Sequence, residues 1–425
     1  MAAPLVEVSG SAGSGPLPQE LVSALKPDDL ERLVQALPAG PTRRLAIYPR
    51  SAGFGLLDEL DHLGARAIEP NVFFSPRFLA PAMPRLDDRD IRLAVIRDET
   101  RERSRLRLLV PFTVENLPVP VAVPVMRTWS NPFGPLGTPL VDHDDPVGVL
   151  EDFFQMLAQP SLKLPKVFVF PDTRTDGPFA AALHAVAEAR SLPLIVSGQV
   201  ERPYLRSGLD GDSYLRKNLK PHHFRELRRQ KRKLEGLGRL EYKIARNPDD
   251  VAEGVEAFLS LEVAGWKGRA GTAMRVDRMH AAFAREATQL LAQRDQCRVH
   301  MLTLDGRPIA VLIVLIASGV AYTWKTAFDE TLAHHSPGTL LLAEMTRNHL
   351  EDPNITESDS CAEANHPVMS RLWSERCTIG TFVVGLTPDS DRAARQAETQ
   401  LALYRHTRTR VKGIGRGLRR LLGKG

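Results

Sequence analysis

Cysteine is scarce. Only Cys297, Cys361 and Cys377 occur in 425 residues, and no C-x-x-C pair is present. This excludes a disulfide framework and a cysteine-based zinc site, and it fits a reducing compartment. Long apolar runs are also missing. The longest, Ile309–Ala317, is far too short to span a bilayer and reads as a strand buried on both faces. Met1–Gly15 has no basic residue ahead of an apolar core, so it is not a secretory signal. The last 25 residues contain no acid. They carry Arg405, Arg408, Arg410, Lys412, Arg416, Arg419, Arg420 and Lys424, a charge of +8 against +5 for the whole chain, so the remainder is −3. The basic balance therefore describes the tail and not the body. At 43% hydrophobic and 25% charged, the body can bury cores of ordinary size, two or three domains' worth. The expectation is a cytoplasmic globular protein.

Four segments are expected. Residues 1–40, rich in Ala, Gly, Pro and Ser with a short helical run at Pro27–Leu37, read as a loosely ordered leader. Residues 41–207 and 208–388 read as two α/β units. Residues 389–425 form a basic helical or disordered tail. In the first unit, strand-like runs at Ile91–Arg97, Leu106–Phe112 and Val119–Arg127 precede a turn-rich stretch, Asn131–Leu140. A helix near Pro146–Ala158, a strand Lys166–Phe170, a helix Pro178–Ser191 and a strand Leu194–Val200 follow. The second unit repeats the order. Strands Val299–Leu304, Ile309–Ile316 and Val320–Phe328 lead into the loop His334–Thr339 and a helix Leu340–Leu350. A strand Ile355–Ser360, a helix near His366–Glu375 and a strand Thr378–Leu386 complete it. The loops Gly137-Thr138-Pro139 and Pro337-Gly338-Thr339 are expected to match in this repeat. A Pro-Gly turn opening a helix offers free N–H groups and a positive dipole end to an anionic ligand.

Several residues look chemical. The helix starting at Asn247-Pro248-Asp249-Asp250 carries an apolar stripe of Val251, Val255, Phe258 and Leu259, and Glu262 falls on its buried face. A buried carboxylate needs a partner or a task. Lys267, in the loop Gly265–Thr272 with Trp266, is the nearest structural partner; positioning an acceptor is the functional alternative. Strict alternation along Val320–Phe328 puts Tyr322, Trp324, Thr326 and Phe328 on one side. Lys325 falls on the other, with Ala321, Thr323 and Ala327, and Asp329 continues that side. His366, at a helix start with Trp373 beyond it, suits a general acid or base. Cys361 lies close by in sequence, but without an oxyanion-hole pattern, which argues against a cysteine nucleophile. Between the units, Tyr214–Leu237 is dense in Arg and Lys and suits an anionic partner, such as a CoA phosphate, RNA or an acidic glycan. Aromatics are not interleaved there, which weakens base stacking.

Three ordered blocks carry a resemblance. The first is Leu261-Glu262, Gly265-Trp266-Lys267-Gly268 and Gly271-Thr272-Ala273. The second is Tyr322-Thr323-Trp324-Lys325, Phe328-Asp329 and Ser336-Pro337-Gly338. The third is Cys361-Ala362, His366-Pro367 and Leu372-Trp373. Together they resemble the GNAT-type acyltransferase domain of bacterial cellulose- and exopolysaccharide-biosynthesis proteins, the CelD-like family, related to the FemAB-like transferases. The resemblance implies an α/β fold of tandem GNAT-like domains with mixed sheets flanked by helices. It implies transfer from acetyl-CoA or another acyl-CoA to an amine or hydroxyl of a small-molecule or saccharide acceptor, without a metal. Carried onto this chain, the donor would meet His335, Ser336, Gly338 and Thr339. The acceptor would meet Trp266, Lys267, Tyr322, Trp324 and Trp373. Proton transfer would fall to Glu262, Asp329 or His366, with Lys325 stabilising charge. The donor loop has one glycine where typical GNAT loops have two, a less open nest for pyrophosphate. FemAB-like relatives use aminoacyl-tRNA, which the basic segment would suit. A non-catalytic binding protein of the same fold is the third reading. The tail's stripe of Val411, Ile414, Leu418, Leu421 and Leu422 among arginines suits peripheral contact with the inner membrane, while its glycines favour a disordered tail.

Overall fold

The structure, a computed structural model, describes residues 3–9, 42–99, 104–116 and 122–405. The leader helix expected at Pro27–Leu37 and the amphipathic stripe of the tail lie outside the described residues. The first half runs β1 (Val6–Ser9), β2 (Thr42–Pro49), α1 (Leu57–Ala65), α2 (Pro76–Leu86), β3 (Arg92–Glu99), β4 (Ser104–Asn116), β5 (Pro124–Thr128), β6 (Leu140–Val141), α3 (Pro146–Leu157), β7 (Val167–Arg174), α4 (Pro178–Ala189) and β8 (Leu194–Leu205). Two helices, α5 (Gly211–Asn218) and α6 (Pro221–Glu235), form the joint. The sequence suggested one basic helix there; Pro221 divides it, because proline opens a helix readily but cannot continue one.

The second half runs β9 (Leu240–Ala245), α7 (Pro248–Ala264), α8 (Trp266–Arg269), α9 (Arg278–Ala292), β10 (Cys297–Leu304), β11 (Arg307–Ala317), β12 (Val320–Phe328), α10 (Pro337–Glu351), β13 (Glu357–Asp359), α11 (Met369–Leu372) and β14 (Glu375–Gly385). Leaving aside β1, the two-residue β6 and the single-turn α8, each half reads strand, helical pair, three strands, helix, strand, helix, strand. Residues 391–405 add a helix whose Ala394, Ala397 and Leu401 pack on Val167 and Val383.

All fourteen strands join one sheet, in the order β1-β2-β3-β4-β5-β7-β14-β8-β13-β12-β11-β10-β9, with β6 beside β4. The centre of that order explains the architecture. The last strand of each half crosses into the other: β14 inserts between β7 and β8, and β8 lies between β14 and β13. Within each half one parallel pair remains, β5 with β7 and β12 with β13. The two halves are therefore swapped into one sheet about an approximate twofold relation.

A shared core also ties the halves together. The aromatic rings of Phe78 on α2 and Phe283 on α9 meet edge to face at 5.2 Å, and both lie 5.9 Å from Trp324. Burying an aromatic of this size contributes about 1.5–3 kcal/mol, and an edge-to-face pair adds about 0.5–1.5 kcal/mol. Neither half could leave without exposing this cluster. On the opposite face, α3 and α4 cover the first half, while α5, α6 and α10 cover the second.

Candidate active site

The local structure of β12 sets the site. Along β11 and β12, Ile313 pairs with Lys325 but Val314 pairs with Thr323, so Trp324 is an extra residue in a β-bulge. A bulge breaks strict alternation and re-aims the following side chain. Tyr322, Trp324 and Ala327 all join the core beneath α7 and α9, whereas Phe328 turns to the core beneath α10. Lys325 lies opposite Ile313, whose side chain belongs to the core beneath α7 and α9, so it shares that face with Trp324. The alternation expected from sequence fails at this point for that reason.

Lys325 is largely buried in an aromatic setting. Its Nζ sits 4.5 Å from the centroid of the Phe133 ring and 5.7 Å from that of Trp324. Among the described residues, no hydrogen-bond or ion-pair partner meets this amine. Burial pushes its pKa down to about 8, and the Lys267 cation adds to the shift while Glu262 opposes it. Phe133 comes from the first half, and the His280 ring packs 4.8 Å from it. Neither was singled out from the sequence, although Phe133 lies within the turn-rich stretch Asn131–Leu140. Its role depends on the contact between halves, which spacing cannot show.

A cleft of about 320 Å³ opens at the end of β12 that follows this lysine, which does not itself line it. It is lined by Glu262, Trp266, Lys267, Thr326, Phe328 and His366, among others. Glu262 is buried and fully engaged: Oε1 accepts from Lys267 Nζ at 2.7 Å and Oε2 accepts from the Met274 amide at 2.7 Å. It fixes the loop between α7 and α9, with one hydrogen bond on each carboxylate oxygen. Glu330 closes the same loop from the other side, accepting from the Trp266 amide and from Arg269, both at 2.6 Å. His366 lines the cleft, but its Nδ1 accepts from the Met369 amide at 3.2 Å. Burial lowers its pKa, so the ring is neutral with its proton on Nε2. That makes it a hydrogen-bond donor toward the cleft, not a base. Asp329 caps the turn after β12 through Thr331 and pairs with Arg307; it does not line the cleft.

Two expected acceptor contacts are core residues instead. Trp373 is fully buried, with Nε1 donating to Thr346 Oγ1 at 2.9 Å. Tyr322 is buried and donates to the Pro70 carbonyl at 2.7 Å. Trp324 donates to the Phe133 carbonyl at 2.6 Å, so it positions the ring above Lys325. Trp266 and Lys267 stand at the cleft.

An open strand edge begins where β12 and β13 part. They pair only at Val320–Tyr322 with Glu357–Asp359, and the hydroxyl of Thr323 makes one more link to the Ser360 carbonyl at 2.6 Å. Beyond it, β12 continues to Phe328 without a strand on that edge. Backbone amides on such an edge are donors in search of an acceptor. The N-terminus of α10 abuts the same end, because a Cβ added at Gly338 would meet the Phe328 ring at 3.2 Å. Ser336 is left-handed (φ 53°) and provides no side-chain cap, and Pro337 follows at the first helical position. The first turn of α10 is therefore open to an anion. A smaller cavity of about 100 Å³ lies there, lined by Ser336, Thr339, Gln230, His223 and Arg371. His335 is buried beside Gln230, its Nδ1 3.4 Å from Oε1, and supports the turn.

The first half has the matching turn, but not where the sequence placed it. Asp145-Pro146 at the start of α3 takes the position of Ser336-Pro337, with Asp145 also left-handed (φ 55°). Gly137, expected to correspond, instead passes so close to the Pro171 carbonyl that a side chain would collide. The Asp145 carboxylate accepts from the Gly148 amide at 3.2 Å and pairs with Arg43 at 2.7 Å. One helix start is thus occupied by its own carboxylate, and the other is vacant.

The fold is that of the GNAT acyltransferases. The sequence matches the acetyltransferase (GNAT) domain family over residues 221–366, about a third of the chain, which contains β9 to β13 and the cleft. No curated protein matches the sequence. Among solved structures, FemX is similar with a TM-score of 0.52 at 10% identity, over 77% of this chain and 95% of that one. A conserved protein of unknown function from Bacteroides thetaiotaomicron gives 0.49 at 10% identity, over 80% and 99%. A tandem GNAT protein from the clavulanic acid biosynthesis pathway gives 0.37 at 16% identity, over 81% and 99%. The family match reaches the GNAT domain and the likeness to FemX reaches the fold; neither singles out the CelD-like family.

Proposed function

We propose that this chain is an acyltransferase that moves an acyl group from an acyl-CoA to an amine or hydroxyl acceptor. One junction carries the reading: the unpaired edge of β12 runs directly into the uncapped N-terminus of α10, and Lys325 stands on the same strand three residues before Phe328. The thioester would lie along the strand edge, whose amides stabilise the oxyanion, and the pyrophosphate would sit on the first turn of α10. The acceptor would occupy the cleft lined by Trp266, Lys267 and His366. Lys325 is the group available as base. Glu262 and Asp329 are committed elsewhere, and a lysine held near a pKa of 8 is partly neutral at physiological pH. The acceptor attacks the carbonyl and its proton passes to neutral Lys325. The carbon–sulfur bond then breaks, and Lys325 returns the proton to the departing thiolate. A role in envelope or exopolysaccharide biosynthesis rests on the resemblance of the sequence blocks alone.

A second reading keeps the site and changes the donor. The basic helix α6 lines the cavity at the start of α10 through Glu226, Leu227 and Gln230, and its Arg225, Arg228 and Arg232 are exposed. An aminoacyl-tRNA could lay its backbone there. Thermal unfolding with acetyl-CoA, longer acyl-CoAs, free CoA and charged tRNA separates the two. A ligand at about 100 times its Kd adds about 2.7 kcal/mol. Stabilisation by a CoA species, retained in Lys325→Met while turnover is lost, supports the first reading. Stabilisation by charged tRNA alone supports the second, and a response to neither overturns both.

A further inference from the structure

We propose that the segment from Trp266 to Met279, at the mouth of the cleft, is a docking face for an anionic lipid bilayer. Trp266 and Met279, each 58% exposed, are the most exposed large apolar side chains among the described residues, and Val276 between them is 53% exposed. Three such side chains fall within fourteen residues of one loop and helix start.

They are held outward by built structure. The Lys267 carbonyl accepts from the amides of Thr272 and Ala273 at 2.8 and 3.2 Å, folding the loop on itself. Glu330 anchors the Trp266 amide, and Asp277 caps α9 by accepting from the Met279 and His280 amides at 2.8 and 3.3 Å. The exposed apolar groups are therefore set in place, as an inserting loop requires.

Charge selects the occupant. The segment carries Lys267, Arg269, Arg275 and Arg278; Lys267 is paired with Glu262 and Arg269 with Glu330, which leaves Arg275 and Arg278 against Asp277 and an excess of one positive charge. Arg275 donates to a hydroxyl, Ser260 Oγ at 3.3 Å, and Arg278 has no partner among the described residues. Glu256 on α7 faces Arg275 as well as Arg285, while Glu253 and Glu286 line a separate hollow between α7 and α9. Separate apolar tips among cations, with no shaped groove between them, fit headgroups and the acyl boundary better than the surface of a folded partner. This face is distinct from the basic tail, and the proposal stands whether or not the cleft performs the transfer described above.

The test uses the full chain and its own fluorescence. Trp129, Trp324 and Trp373 are 1%, 8% and 0% exposed, so a quencher in lipid reports on Trp266. Vesicles of brominated phosphatidylglycerol mixed with phosphatidylcholine should shift the emission to the blue and quench it. Brominated phosphatidylcholine alone should do neither. Trp266→Phe should still sediment with the anionic vesicles and lose the quenching. Trp266→Ser with Met279→Ser should weaken vesicle binding about tenfold or more, since each buried side chain of this size is worth about a factor of ten. Binding without quenching would assign the contact to the tail and overturn the proposal. So would equal quenching by neutral vesicles, absence of binding, or self-association of the chain with no response to lipid.

Discussion

The contrast between the two helix starts yields the sharpest prediction, Ser336→Asp. The substitution gives α10 the residue that α3 already has, in nearly the same conformation: φ 53° and ψ 47° at Ser336, φ 55° and ψ 51° at Asp145. The backbone therefore accepts it without strain. Two effects of opposite sign follow. In the ligand-free protein the new carboxylate caps an open N-terminus, worth about 0.5–2 kcal/mol. Unfolding of 425 residues carries an entropy of about 0.9 kcal/mol/K, so each kcal/mol moves Tm by about 1 °C. The ligand-free variant should thus melt about 1 °C higher. Toward a CoA donor the same carboxylate is a like charge on the phosphate seat. At about 4 Å, each pair of unit charges costs between about 1 kcal/mol in bulk water and about 4 kcal/mol near a protein surface. A donor at 100 times its Kd should raise the wild-type Tm by about 3 °C; a 3 kcal/mol penalty leaves less than about 0.5 °C of that shift in the variant. Calorimetric titration with acetyl-CoA and free CoA, beside melting curves, reads both effects. An undiminished donor response in Ser336→Asp would refute the assignment of the first turn of α10 to the donor.

Other outcomes follow from the same geometry. If Lys325 acts neutral, kcat/KM should rise with pH and level off above about 8, and Lys325→Arg, which stays charged, should abolish the rise along with the activity. Glu262→Ala strands the Met274 amide and frees Lys267, which should cost about 1.5–3 kcal/mol in chemical denaturation. Lacking its neighbour's carboxylate, Lys325 should also titrate lower in that variant. Trp373→Phe removes the bond to Thr346 and part of a fully buried ring, and should cost about 2 kcal/mol or more with turnover unchanged. Glu69, buried against α4, has its pKa raised by burial to about 7. Its folded pKa exceeds the unfolded value near 4.5, so between those values the unfolded chain has lost the proton that the folded chain keeps. Stability should fall by roughly 3 kcal/mol as pH rises from 4.5 to 7, and Glu69→Gln should flatten that slope.

The periodic parts of this fold were legible because they depend on local chemistry. Asn247 and Pro248 start α7, and the Asn247 side chain does accept from the Asp250 amide at 2.9 Å. Ile309–Ala317 is buried on both faces as its unbroken apolar run implies, since it sits between β10 and β12 under two helical layers. The element order of the two halves was visible for the same reason. The exchange of β8 and β14 was not. Both strands have the same composition whether they pair within a half or across, and only the closing of two incomplete sheets on each other decides it. The bulge at Trp324 was hidden for a related reason. A strand of alternating residues gives no sign that its partner omits one, so Lys325 was put on the wrong face.

The chemistry of the site divides along the same line. Glu262 and Lys267 were paired from sequence because five residues across a helix end is a local distance, and the pair is there at 2.7 Å. Lys325 owes its character to Phe133, nearly 200 residues away, and to a swapped sheet that brings the halves together. Repetition itself misled at one point, because Gly-Thr and Pro-Gly-Thr look alike while the corresponding turns are Asp145-Pro146 and Ser336-Pro337. What distinguishes those turns is a single side chain. The first half caps its helix with a carboxylate and ties that carboxylate to Arg43, which stabilises the fold; the second leaves its helix open, which a purely structural repeat would have no reason to do. An uncapped helix end retained beside an unpaired strand edge leaves backbone amides without an intramolecular acceptor at two adjoining points, and the proposed donor would supply an acceptor to both.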